Sequence, residues 1–135
     1  MIKVFTAGTW DLFHVGHLNI LKQSKQLGDY LVVGVSTEEL VYSYKNKKPI
    51  ISLEDRMEII KGCRYVDEVI IQEELLGIKM LNEVNPDVFT IGNDWKHKEL
   101  AGLTYLKALK KQIFYFDYTA GRSSTSIVEK IRNVK

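Results

Sequence analysis

Cysteine is nearly absent: Cys63 is the only one in 135 residues. A single thiol cannot close a disulfide framework, which fits a reducing, cytoplasmic setting. Cys63 follows Gly62 just after an expected helix and reads as a structural thiol. Long apolar runs are absent too. None approaches the ~18 residues of a membrane span, so no membrane insertion is expected. The opening Met1-Ile2-Lys3-Val4-Phe5 leads into a turn and lacks a signal-peptide core. Charge of one sign is not in excess: 19 basic against 17 acidic side chains leave a net charge of +2. That argues against a broad nucleic-acid-binding surface but leaves room for a small anionic ligand in a local basic pocket. There are only two prolines, and no repeat, low-complexity stretch or linker. What remains is 45% apolar and 27% charged, ordinary for one domain over residues 1–135.

Short β-rich runs alternate with helical ones. Ile2–Thr6 reads as a first strand ended by Gly8. Val15–Leu27 reads as a helix with Leu18, Leu21 and Leu27 near one face and Gly28 as its stop. Tyr30–Val35 is a continuous apolar run, typical of a strand buried on both faces. Ser52 caps the next helix, with Asp55 three residues on. Strands are expected at Val66–Ile71, Val88–Ile91 and Ile113–Phe116. Helices are expected at Glu73–Val84, Lys98–Leu109 and Ser124–Asn133. This alternation predicts an α/β fold, a single Rossmann-like, doubly wound domain with a five-stranded parallel sheet. Such sheets bind ligands at the carboxyl ends of their strands.

The first strand's carboxyl end carries Thr6-Ala7-Gly8-Thr9-Trp10-Asp11-Leu12-Phe13-His14-Val15-Gly16-His17. Gly8 is expected to let the chain turn sharply. A helix then begins near His14, directing free N–H groups and a positive dipole end at the pocket. His14 and His17, three apart, share one face of its first turn. Gly16 between them lets a phosphate approach the backbone. Two imidazoles there can donate hydrogen bonds to an α-phosphate whose charge grows in the transition state. Taken alone, the pair could be two surface histidines. A zinc site would need a third ligand, and His97 is the only other histidine.

The dodecapeptide resembles the His-x-Gly-His signature shared by cytidylyltransferases, pantetheine-phosphate adenylyltransferases and class I aminoacyl-tRNA synthetases. No Lys-Met-Ser-Lys-Ser motif accompanies it. Over nearly its full length the chain is most similar to the bacterial glycerol-3-phosphate cytidylyltransferases. The shared stretches are Gly8-Thr9 with Asp11-Leu12, Gln26–Val33, Arg64–Ile70, and Gly92 with Asp94-Trp95.

That resemblance implies roles for further residues. Lys45, Lys47 and Lys48 follow the second strand. By charge alone they are solvated; by resemblance Lys47 binds nucleotide phosphates and Lys45 the acceptor. Arg64 would reach the nucleotide, where a guanidinium binds phosphate oxygens as a fork. Asp94 would lie near the nucleotide, or serve as a turn acid beside Trp95. Asp11 could orient His14, approach a metal ion, contact the acceptor or cap the helix. Gly8, Thr9 and Trp10 are expected around the nucleotide, and Lys79 at the acceptor. Tyr118–Ser126 opens the last helix, and Thr119, Gly121, Arg122, Ser123, Ser124 and Thr125 form an expected triphosphate cradle. Here the chain departs from the family: Tyr118 replaces an arginine, Ala120 a glutamate, and Arg122 an isoleucine. Arg122 is the expected substitute for the lost guanidinium.

The implied reaction is CTP plus a polyol phosphate, glycerol 3-phosphate first, giving a CDP-polyol and pyrophosphate. Mg2+ would ride on the triphosphate, His14, His17, Lys47 and Arg64 would act catalytically, and the family suggests a homodimer. Two other readings remain open: adenylyl or guanylyl transfer onto a sugar phosphate, pantetheine phosphate or flavin mononucleotide, and a nucleotide-binding module without turnover.

Overall fold

In the computed structural model, which describes residues 1–134, the alternation of apolar periods becomes five strands and six helices. In chain order they are β1 (Lys3–Gly8), α1 (Val15–Gln26), β2 (Tyr30–Ser36), α2 (Glu38–Lys45), α3 (Leu53–Lys61) and β3 (Glu68–Gln72). There follow α4 (Ile78–Val84), β4 (Val88–Gly92), a 3-10 turn (Asn93–Trp95), α5 (Ala101–Ala108), β5 (Gln112–Phe116) and α6 (Ser124–Arg132). All strand pairings are parallel, in the order β3-β2-β1-β4-β5. The order reverses between β1 and β4, the position where doubly wound sheets open a ligand crevice.

The period-2 alternation of the central strands feeds two cores. Val4, Leu31, Val33 and Val35 point to one face, under Ile20 and Leu21 of α1 and Ile60 of α3. Phe5, Val32 and Phe89 point to the other, under Leu81 of α4 and Leu103 and Leu106 of α5. Each such fully buried side chain contributes about 1.5–3 kcal/mol. The buried hydroxyls of the central layer are paired: Ser24 Oγ lies 2.7 Å from Thr90 Oγ1, and the Thr6 hydroxyl donates to the Thr90 carbonyl.

Several boundaries differ from the sequence expectation. β1 runs on through Gly8, and β3 begins at Glu68 rather than Val66. A helix, α2, occupies ground read as loop. Thr37 caps it by accepting from the Leu40 N–H at 3.1 Å, and Asn46 ends it in the left-handed region at φ 57°. It buries only Leu40 and Val41, too few for a periodic signal. α4 starts at Ile78 instead of Glu73 because Leu76 turns left-handed, φ 50°, just before it. α5 starts at Ala101, three residues after Lys98.

Candidate active site

A cavity of about 540 Å3 opens at the carboxyl edge of the sheet. The turn after β1 and the ends of β2 and β3 form one lobe. Residues after β4 and β5 and one face of α6 form the other. The turn after β1 is not made by Gly8, as expected, but by Trp10 and Leu12, both left-handed at φ 57° and 49°. Such conformations cost a non-glycine residue about 1–2 kcal/mol each, a strain held by the contacts around them. The Trp10 indole is buried and donates Nε1–H to the Gly34 carbonyl at 3.0 Å. A Cβ on Gly8 would press to 3.2 Å from that indole, so the glycine makes room for the tryptophan. Trp10 is therefore a wall of the cavity, with its polar group already committed.

The two histidines cap α1 reciprocally. His14 Nδ1 accepts from the Gly16 N–H at 3.0 Å, and His17 Nδ1 accepts from the His14 N–H at 3.2 Å. The rings stack with centroids 3.9 Å apart, and Phe13 stacks on His17 from another side. Because each Nδ1 is an acceptor, each neutral ring carries its proton on Nε2. Both rings are shifted toward the neutral form. Burial lowers the His14 pKa. Burial, then the neighbouring His14 charge, push His17 down to about 4, against the opposing pull of Asp11. The pair thus offers neutral Nε2–H donors. His17 lines the cavity, and His14 stacks on it. Gly16 makes room for the imidazole: a Cβ there would lie 2.8 Å from His14 Cε1 and 3.1 Å from the Arg122 carbonyl.

Asp11 neither caps α1 nor bonds His14. Its carboxylate accepts from the Ile50 and Ile51 N–H groups at 2.8 and 2.9 Å, pinning the loop that follows α2. Lys45, Lys47 and Lys48 line the cavity on that loop and the end of α2. Loss of hydration and then Lys47 lower the Lys45 pKa. The same loop is gripped from below by Arg56 of α3, which is completely buried. Its Nε donates to the Ile51 carbonyl at 2.9 Å, and its Nη1 to the Thr9 and Ser36 carbonyls at 2.8 and 2.7 Å. One guanidinium therefore ties together the ends of β1 and β2 and the lysine loop.

On the other side, α6 brings its N-terminus to the same turn. Ser124 Oγ donates to the Asp11 carbonyl at 2.6 Å, and Asn19 Nδ2 donates to Thr119 Oγ1 at 3.0 Å. The starts of α1 and α6 thus converge, two positive dipole ends facing one space. Ser123 and Ser126 cap α6 reciprocally, so Ser123 is spent on the helix. Gly121 adopts φ 70° with open space around it. Ser124 and Thr125 face the cavity. Tyr118, where an arginine was expected, donates its hydroxyl to Asp94 at 2.9 Å. Loss of hydration and then Asp94 raise the phenol's pKa, so it remains a donor.

Several expected site residues do not line the cavity, Gly16, Thr119, Gly121 and Ser123 among them. Arg64 sits in the turn between α3 and β3, before the strand and so at the opposite edge of the parallel sheet. Its guanidinium is exposed, bonded to the Tyr65 hydroxyl and packed on that ring. Lys79 of α4 lines a separate groove with Glu68 and Glu83. Arg122 is exposed and off the cavity wall. Conversely, Arg56, Ser36, Gln72 and Arg132 take part unforeseen. Ser36 and Gln72 end β2 and β3, so the carboxyl-end rule names them. Thr125, Val128, Glu129 and Arg132 follow helical spacing on one face of α6. Arg56 looks like any solvated helix charge.

Residues 5–130 match the family model described as cytidylyltransferase-like. The chain is 43% identical over 132 residues to the glycerol-3-phosphate cytidylyltransferase of Bacillus subtilis (strain 168), covering 97% of this chain and 98% of that protein. It is 35% identical over 133 residues to the bifunctional protein HldE of Campylobacter concisus (strain 13826), covering 98% of this chain but only 27% of that protein. Among solved structures, the lipopolysaccharide core biosynthesis protein from Thermoplasma volcanium GSS1 superposes with a TM-score of 0.74 at 33% identity, covering 88% of this chain and 97% of that one.

Proposed function

This chain belongs to the cytidylyltransferase-like family, and from that premise we propose that it transfers a cytidylyl group from CTP to a polyol phosphate, glycerol 3-phosphate first among them. An oxygen of the acceptor phosphate attacks the α-phosphorus in line, the bond to the β-phosphate oxygen breaks, and pyrophosphate leaves. The reaction needs positioning and charge stabilisation rather than a covalent enzyme intermediate.

The observation that carries this reading is the histidine pair. Both Nδ1 atoms are committed to backbone N–H groups, which leaves Nε2–H as the donor on each ring. Neutral donors strengthen as the phosphoryl oxygens gain charge and need no proton of their own back. The converging N-termini of α1 and α6, with Ser124 and Thr125, suit the triphosphate, and Lys45 and Lys47 suit the acceptor and departing phosphates. Among the described residues no three His, Cys, Asp or Glu side chains gather as a metal cluster, and both Asp11 oxygens are occupied by backbone N–H groups. A protein cage for a divalent ion does not fit. In our reading Mg2+ enters on the triphosphate oxygens and water.

Supported by the lone cysteine and balanced charge, we place the enzyme in the cytoplasm; family likeness favours a homodimer. No helix among the described residues is long and apolar enough to cross a membrane. Tyr118 in place of the expected arginine favours one second reading, transfer from a different nucleoside triphosphate. Pyrophosphate release is measured with each of the four nucleoside triphosphates against glycerol 3-phosphate, ribitol 5-phosphate, sorbitol 6-phosphate, phosphocholine and phosphoethanolamine. CTP is expected to give the highest initial rate on the best acceptor. Rates with ATP or GTP well above it refute the base assignment.

A further inference from the structure

Gln72 is the last residue of β3, only 4% exposed, and on the wall of the cavity. Its side chain meets that of Ser36, the last residue of β2. Ser36 has a single hydroxyl proton, yet two acceptors stand beside it: the Gly8 carbonyl at 3.1 Å and the side-chain amide of Gln72 at 2.9 Å. One proton cannot serve both. The oxygen and nitrogen of an amide are assigned by the network they complete. With Gln72 Nε2–H donating to Ser36 Oγ and Ser36 O–H donating to Gly8, each of the two contacts has its own proton. The other end of the amide is then the carbonyl oxygen. Among the described residues the one sealed, unpartnered side-chain nitrogen or oxygen is Arg56 Nη2. The free Gln72 oxygen is therefore not enclosed in protein; it opens onto the cavity.

Gln72 stands two strands from β1, on the side of the sheet that carries the lysine loop and away from Asp94 and Tyr118. Around it the wall is apolar, with Val41, Leu75 and Leu76. A cationic rim, an apolar wall and one fixed acceptor beyond them describe a place for a phosphate, a short carbon chain and a hydroxyl. Resting on the polyol-phosphate reading above, we propose that Gln72 is a specificity residue whose carbonyl oxygen accepts a hydrogen bond from a hydroxyl of the acceptor, with Ser36 as its positioning residue. The occupied orientation matters. Ser36 holds the amide so that it rejects an acceptor carrying no donor, leaving a half-buried carbonyl unpaired.

The test compares kcat/KM, at saturating CTP, for glycerol 3-phosphate and for propyl phosphate, which keeps the attacking phosphate but has no hydroxyl. The native enzyme is expected to prefer glycerol 3-phosphate by roughly 10- to 100-fold. Gln72→Leu should bring that preference to about parity by lowering the rate with glycerol 3-phosphate alone, leaving propyl phosphate turnover and the KM for CTP unchanged. Gln72→Met, measured alongside, should do the same, and Ser36→Ala should lose part of the preference. An unchanged preference in either Gln72 variant overturns the proposal. So does a raised KM for CTP with acceptor preference intact, which would make Gln72 a reader of the base. Native enzyme that releases no pyrophosphate from CTP with any phosphorylated acceptor refutes the underlying reading instead, and the proposal falls with it.

Discussion

Holding His17 neutral should appear in the pH dependence of stability. Its pKa falls from an ordinary 6.5 to about 4 in the fold. Below pH 6.5 the unfolded chain takes up a proton that the native protein does not bind until about pH 4. The contribution of this group is thus fully present above pH 6.5 and is lost as pH falls toward 4. At about 1.4 kcal/mol per tenfold change in proton affinity, the gap sets a ceiling of roughly 3 kcal/mol. The ring faces a cavity that water enters, so screening reduces the working figure to about 1–2 kcal/mol. Asparagine places an acceptor where His17 Nδ1 stands and does not titrate, which makes His17→Asn the comparison. Urea denaturation of both proteins at pH 7, 6 and 5 gives the difference directly. The native protein's advantage over His17→Asn should shrink by about 1 kcal/mol or more by pH 5. His14 shifts in the same direction but is common to both chains. Parallel pH curves would refute the reasoning, because His17 would then ionise normally and could not be a fixed neutral donor.

Arg56→Met removes three charge-assisted bonds to the Ile51, Thr9 and Ser36 carbonyls. Relief of one buried charge offsets part of the loss, and thermal unfolding should report about 2–4 kcal/mol of destabilisation. Asp11→Asn loses one of the two bonds that pin the lysine loop. It should raise both substrates' KM by roughly 10-fold with a smaller change in kcat; unchanged steady-state kinetics would show that the loop needs no pin. Arg122→Ala should leave CTP use near the native level, since this side chain lies off the cavity wall. Arg132→Ala should raise the KM for CTP several-fold, and the reverse ranking in steady-state kinetics would restore Arg122 to the cradle.

The topology was legible because strand-like and helical runs alternate along the chain, and because the continuous apolar run Tyr30–Val35 reads as a strand buried on both faces; Leu31–Ser36 are buried. The His14–His17 turn was legible because a strand, a turn and a helix start coincide there. Other features were hidden by distance along the chain. Nothing local marks Arg56, whose partners lie 5, 20 and 47 residues away. Gly8 was credited with a turn that Trp10 and Leu12 make, because glycine's freedom is visible in sequence and the strain of other residues is not. Arg64 precedes β3, which begins at Glu68, and a residue before a parallel strand lies at the wrong edge of the sheet, however well its chemistry suits a phosphate. Arg122 fits the cradle by neighbourhood in sequence, but its carbonyl, not its guanidinium, faces Gly16.

The central claim is that neutral Nε2–H donors on His14 and His17 stabilise nucleotidyl transfer from CTP. The direct measurement is the turnover number of pyrophosphate release with CTP and the best acceptor for His14→Ala and His17→Ala, each checked by circular dichroism for an intact fold. Both should fall by ~10²-fold or more, the usual scale for one lost transition-state donor. Near-native turnover in either folded variant would contradict the account.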